Sequence, residues 1–186
     1  LLSLAVTKSS DLIAITSSAD IFKIRSNTGD IFWSRNTADS LYSDATDFFV
    51  SSEIVIDGDN IIFSSGTNTF SLDLETGTTN WKYEASSSLI PIISGKNIFI
   101  VTDLGYLVIL DKRTGEIISS SNILKILKKK KQKTKVTGFI MGSNKIYTMT
   151  FNGFLIVSSA KTGKHEYFKK IGASNMSPLT IKSLLI

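Results

Sequence analysis

The stretch SLDLETGTTNW at residues 71–81 reads as a strand, a tight turn and the start of a second strand, and its centre returns as ILDKRTGEIIS at 109–119. Thr-Gly closes four similar runs, at Thr28-Gly29, Thr76-Gly77, Thr114-Gly115 and Thr162-Gly163, with the glycines 48, 38 and 48 residues apart. Each pair closes a run that begins 17 or 18 residues before its glycine, at Asp11, Asn60, Asn97 and Lys145. Self-similarity at a near-constant length outranks other signals, because it makes each copy one structural unit.

Within a unit the local chemistry is that of strands. NIFIVTD (97–103) and GYLVILD (105–111) are short, rich in β-branched and aromatic residues, and bounded by Gly, Asp and Asn. Polar, glycine-bearing turns such as SSGTN (64–68), TDLG (102–105) and FNG (151–153) separate the paired runs. Another short strand follows each Thr-Gly: DIFWS (30–34), TTNWKYE (78–84), EIISSS (116–121) and KHEYFKK (164–170). The last three units are preceded by one more, EIVIDG (53–58), LIPIISG (89–95) or TGFIMG (137–142), each ending in Gly; the first unit shows no such innermost strand. Four antiparallel strands thus fill about 40 residues, the size of one propeller blade. SNILKILKKKKQ (121–132) is the one stretch with a helical reading, and it falls between units.

A four-stranded meander of this size cannot bury both faces alone, and repetition about an axis lets neighbouring sheets cover one another. The expectation is therefore an all-β fold: a β-propeller of four-stranded antiparallel blades, about four of them present. Residues 1–186 form one propeller domain, with blades at roughly 1–35, 50–85, 86–121 and 134–170 and a further blade starting at 174–186. Because propellers run from about four to eight blades, the chain reads as an arc of a larger, eight-bladed ring. A compact four-blade ring closed through its two ends is the alternative.

Composition bounds the function. The 186 residues are 42% hydrophobic and 20% charged, with two prolines and no cysteine, which suits a globular core and removes disulfides, thiolate metal sites and a cysteine nucleophile. No apolar run reaches the length of a membrane-spanning helix. The chain opens LLSLAVTKSS without an initiator Met and ends in the apolar SPLTIKSLLI, so it reads as a mature or excised piece with any leader outside it. Its net charge of +5 is local: Lys125, Lys128, Lys129, Lys130, Lys131, Lys133 and Lys135 stand together, and without them the balance is −2. Such runs are ordinarily solvated loops. No aromatic interleaves the lysines as base stacking would want, so no nucleic-acid partner is expected, and peripheral contact with an anionic membrane surface is the other use such a loop suggests.

Aligned on Thr-Gly, the units share a longer pattern: small residue, x, Asp, x, x, Thr, Gly, x, x, x, Trp. SLDLETGTTNW carries it at Asp73, Thr76, Gly77 and Trp81; the first unit keeps Thr28, Gly29 and Trp33 with Arg25 at the Asp place. The third keeps Asp111, Thr114 and Gly115 with Ser119 for Trp, and the fourth keeps Thr162 and Gly163 with Ser159 for Asp and Tyr167 for Trp. Asp and Thr side chains can bond turn backbone groups, and a Trp on the outer strand can cover the neighbouring blade's turn. This resembles the tryptophan-docking repeat of the PQQ-like, quinoprotein-type propellers, and most resembles the BamB outer-membrane assembly lipoproteins.

That resemblance implies a non-catalytic, quinone-free scaffold in the periplasm, anchored to the outer membrane by a lipid-bearing N-terminus absent from this chain. It would present loops to protein partners in assembly of outer-membrane β-barrel proteins. The alternative it implies is a fragment of a PQQ-dependent dehydrogenase with its active site elsewhere. Asp57-Gly58-Asp59-Asn60 reads as a hairpin turn, since it lacks the spaced oxygen ligands and terminal Glu of a calcium loop. His165, the single histidine, lies on an expected outer strand, so no His-centred triad is expected within this chain. No catalytic, cofactor or metal residue is assigned. Phe22, Phe63, Phe99, Tyr106, Tyr147 and Phe154 are expected in the inter-blade core.

Overall fold

A computed structural model describes residues 3–38, 51–127 and 134–172. These form four antiparallel sheets, each a simple meander in chain order. The first contains β1 (Ser3–Val6), β2 (Leu12–Ile15), β3 (Asp20–Ile24) and β4 (Ile31–Asn36). The second contains β5 (Val55–Asp57), β6 (Asn60–Ser65), β7 (Asn68–Asp73) and β8 (Thr79–Tyr83). The third contains β9 (Ile92–Ser94), β10 (Asn97–Val101), β11 (Tyr106–Asp111) and β12 (Ile117–Asn122); the fourth, β13 (Val136–Gly142), β14 (Lys145–Thr150), β15 (Phe154–Ser159) and β16 (His165–Lys170).

The middle strands explain the stacking of these sheets. Successive side chains on a strand point to opposite faces, and here both faces are apolar. On β6, Ile61 and Phe63 join Ile13, Ile15 and Ile21 of the first sheet, while Ile62 joins Ile98 and Ile100 of the third. On β10 and β11, Ile98, Ile100, Val108 and Leu110 face the second sheet; Phe99, Val101, Leu107 and Ile109 face Phe139, Ile146 and Ile156 of the fourth. A sheet with two apolar faces needs a neighbour on each side. The result is a row of blades, sealed by three apolar seams, that forms an arc of a β-propeller and not a closed ring. Among the described residues no core cluster joins the fourth blade to the first, and no helix is long and apolar enough to cross a membrane.

Two expectations are corrected. The first blade does have an innermost strand, β1, paired with β2 from Ser3↔Ile15 to Val6↔Leu12. It escapes a search for a glycine turn because Ser10, at φ 66°, takes the left-handed position there. Among the described residues of SNILKILKKKKQ, Ile123–Ile126 forms one 3-10 turn. Asn122 caps it, its side-chain oxygen accepting from the N–H groups of Leu124 and Lys125 at 3.1 and 3.2 Å. Ile123, Leu124 and Leu127 are then drawn into the core between blades 3 and 4. The expected fifth blade at 174–186 and Lys128, Lys129, Lys130, Lys131 and Lys133 lie outside the described residues, as does much of the linker between blades 1 and 2.

The hydroxyls of Thr148 and Ser158 are buried in blade 4 without a hydrogen-bond partner. A buried hydroxyl left unbonded loses its hydration for nothing in return. Thr148→Val should therefore stabilise the chain by about 1 kcal/mol, read as a higher urea midpoint with an unchanged slope.

Candidate functional site

The repeated turn is where the polar side chains of the motif meet. In blade 2 one oxygen of Asp73 accepts from the N–H groups of Glu75 and Thr76 at 3.0 and 2.8 Å and from the Thr76 hydroxyl at 2.8 Å. Asp111 repeats this in blade 3 with Arg113 and Thr114. The Thr76 N–H bond, foremost, holds the Asp73 carboxyl below its ordinary value, and the Thr114 N–H bond does the same for Asp111. In blade 4 the Ser159 hydroxyl stands in, accepting from Lys161 and Thr162 N–H groups. Blade 1, with Arg25 at that place, has no carboxylate or hydroxyl acceptor there; the turn keeps the Gly29 N–H bond to the Arg25 carbonyl at 2.8 Å, and the Thr28 hydroxyl donates to Asp30 at 2.7 Å.

The turns of blades 2, 3 and 4 are then gripped by the preceding blade. The Trp33 ring of blade 1 lies over Gly77 of blade 2, where a Cβ would sit 2.6 Å from two ring carbons, and Trp81 of blade 2 lies as closely over Gly115 of blade 3. The indole N–H groups donate to the Leu74 carbonyl at 3.2 Å and the Lys112 carbonyl at 2.9 Å. Between blades 3 and 4 the smaller Ser119 hydroxyl donates to the Thr162 carbonyl and packs on Gly163. Gly77 and Gly115 are required twice, by φ values of 68° and 72° and by the ring above them. Gly29, with no ring over it, faces open space. Tyr167 is 50% exposed on β16.

A feature the sequence reading missed aims these rings. In every blade the pairing of the outer two strands slips by one residue just before the Trp position, opposite Lys23/Ile24, Ser71/Leu72, Ile109/Leu110 and Val157/Ser158. The extra residue is Phe32, Asn80, Ile118 or Glu166. A β-bulge of this kind re-aims a side chain. Without it Ile117 and Ser119 would share a face; with it Ser119 pairs with Ile109 and turns towards the next blade. The sequence trace of this is faint: an odd residue between Thr-Gly and Trp in an otherwise alternating strand.

Ion pairs cross the same seams. The almost fully buried Lys23 ammonium meets Glu75 at 2.7 Å and lies over the Phe32 ring, and Lys112 meets Asp57 at 2.6 Å. Arg35 adds a bond to the Gly77 carbonyl at 3.2 Å. The Asp57–Asn60 turn is thus committed to packing: Asp57 holds Lys112, and the Asp59 carbonyl accepts from Leu74 N–H. Among the described residues no group of three His, Cys, Asp or Glu converges as a metal site would require, and His165 lies exposed on β16. Phe63, Phe99 and Phe154 are buried in the seams; Phe22 and Tyr147 are half-buried. Tyr106 departs from expectation and lines an open groove between blades 2 and 3. Lys125 is exposed on the 3-10 turn, and Lys135 is exposed at the entry to blade 4.

Residues 2–121 match the family model described as outer membrane protein assembly factor BamB, which is more than half of the chain. The chain belongs to the BamB family. None of the curated proteins matches it. Among solved structures, BamB from Moraxella catarrhalis superposes with a TM-score of 0.68 at 18% identity, over 95% of this chain and 51% of that one. A computationally designed protein, Ika8, gives 0.70 at 10% identity over 97% and 52%. The Cps50 (Swd1) β-propeller domain of Myceliophteria thermophila gives 0.71 at 12% over 96% and 58%. At these identities the likeness is one of fold, and this BamB-family chain spans about half the length of the structures it matches.

Trp81→Ala should destabilise by roughly 3–5 kcal/mol, since the ring is buried, and Trp33→Ala by less because its ring is partly exposed. Gly115→Ala should cost on the order of 3 kcal/mol from left-handed strain plus the clash with Trp81, whereas Gly29→Ala should cost only about 1–2 kcal/mol. Chemical denaturation of the four variants checks this order. The lowered carboxyls of Asp73 and Asp111 contribute stability that is present above 3.8 and lost as pH falls through their folded values. The stability gap between wild type and an Asp73→Asn, Asp111→Asn double variant should therefore close as pH falls, measured by urea midpoints at stepped pH.

Proposed function

We propose that this chain is a non-catalytic protein-binding scaffold that serves, like BamB, in the assembly of outer-membrane β-barrel proteins on the periplasmic side. The observation that carries this reading is the BamB family match over residues 2–121 of a propeller arc. The distribution of chemistry supports it. Asp73, Thr76, Asp111 and Thr114 are consumed in shaping the turns and the two tryptophans in docking them to the preceding blade, while the exposed Leu104 stands at the opposite end of the blades, on the Thr102–Gly105 hairpin. Rigid repeats that expose variable loops suit a protein that brings partners together.

The test is capture of the full-length protein from crosslinked cell envelopes, with partners identified by mass spectrometry. Outer-membrane assembly components are the expected catch. Their absence, in a preparation that reduces a dye when alcohol, PQQ and Ca²⁺ are supplied, would replace this reading with a quinoprotein one.

A further inference from the structure

The seams between blades 2 and 3 and between blades 3 and 4 end differently on the side away from the Thr-Gly turns. The outer strands of blades 2 and 3 exit there, and the exiting segment runs along the end of a seam. After blade 3 that segment is Ile123-Leu124-Lys125-Ile126-Leu127, and it plugs the seam: Ile123, Leu124 and Leu127 are buried, and Leu124 presses on Gly105 so closely that a Cβ there would lie 2.4 Å from it. After blade 2 the equivalent segment is Glu84-Ala85-Ser86-Ser87. It is held firmly, with Thr69 Oγ1 donating to the Ala85 carbonyl at 2.7 Å and Ser87 Oγ to the Val101 carbonyl at 2.6 Å, but its side chains are too small to fill the same space.

What remains is a groove of about 320 Å³ between Tyr83, Tyr106 and Val108. Leu104 stands at its lip, 78% exposed, the most exposed of the large apolar side chains among the described residues. Glu84 and Asp103 line it, and among the described residues no basic one does. The Ser88 hydroxyl bonds only one Asp103 oxygen, at 2.7 Å. We propose that this unplugged seam end docks a partner-protein segment in which aliphatic side chains flank a lysine or arginine. The inference rests on the scaffold reading and names the surface through which it works. The aliphatic group would fill the space that Leu124 fills one seam further on, removing Leu104 and Tyr106 from water. The cation would meet the Glu84 and Asp103 carboxylates beside two tyrosine rings. The chain's own plug has this composition, Leu124-Lys125-Ile126.

The plug supplies the probe. The ¹⁵N-labelled chain is titrated with the peptide acetyl-SNILKILKK-amide, which copies residues 121–129, and with a version carrying glutamate for each lysine. Saturable shifts of the Tyr83, Leu104 and Tyr106 amides with the lysine peptide, and weaker binding of the glutamate peptide, are expected. Ala85→Leu, which fills the groove from within, and Leu104→Ser, which removes an exposed side chain and leaves the core untouched, should each raise Kd by about tenfold. No saturable shift would overturn the proposal; so would equal affinity in Leu104→Ser, equal affinity for the two peptides, or shifts confined to Phe139 and Phe154 of the neighbouring seam. The titration needs only purified chain, so its outcome stays separate from that of the envelope capture.

Discussion

Each of the three seams between the described blades depends on a ring, or its stand-in, laid on a glycine that belongs to the next blade. The contact is possible only because that glycine has no Cβ and sits at positive φ, and the indole N–H then finds a carbonyl of the same turn. It joins local and long-range structure in one place. The turn conformation creates the flat patch, and the patch fixes where the preceding blade must lie. A propeller needs that registration because seam packing alone is weakly directional: rows of Ile, Val and Leu would tolerate a shift of one blade along another far better than a ring seated on a turn. Cross-seam ion pairs such as Lys23–Glu75 reinforce the setting, though a buried ammonium against an exposed carboxylate contributes more to register than to net stability.

The graded quality of the docking contact shows what it must supply. Trp81 is buried beneath blades 2 and 3, Trp33 is partly exposed at the end of the arc, and Ser119 replaces the ring between blades 3 and 4. That last seam compensates with apolar mass: its core includes Phe99, Phe139 and Phe154 and gains Ile123, Leu124 and Leu127 from the linker. A seam can therefore be stabilised from the turn end by an indole or from the opposite end by a plug, and blades 3 and 4 have moved from the first device to the second.

How much of this the sequence made legible follows from where the constraints are local. Thr-Gly spacing and apolar runs such as NIFIVTD expose the blades because turn chemistry and strand alternation act over a few residues. β1 is obscured because Ser10 performs at some steric cost what glycine does elsewhere, and residue type records preference, not necessity. The bulges at Phe32, Asn80, Ile118 and Glu166 are barely legible, since a slipped register is a property of two strands and leaves only an odd residue of spacing in one. The plug was misjudged for a related reason. SNILKIL has helical composition, but its burial between two sheets decided its conformation. The groove beside Leu104 is invisible in sequence altogether, because it is defined by side chains that Ala85 and Ser86 do not have.

These differences separate the two ends of the arc by role. In a four-stranded meander the Thr-Gly turn and the first hairpin fall at one end, and the middle hairpin and the blade-to-blade linkers fall at the other. The first end must satisfy docking in every repeat, so its residues recur. The second carries no such burden and holds what does not recur: the exposed Leu104, the open groove beside it, the 3-10 plug, and Leu127 and Thr134, between which the lysine run is inserted. Variation accumulates where the fold leaves it free, and the same freedom lets a scaffold acquire partners without disturbing its blades. The end that repeats explains how the arc holds together; the end that does not is where its specificity has room to reside.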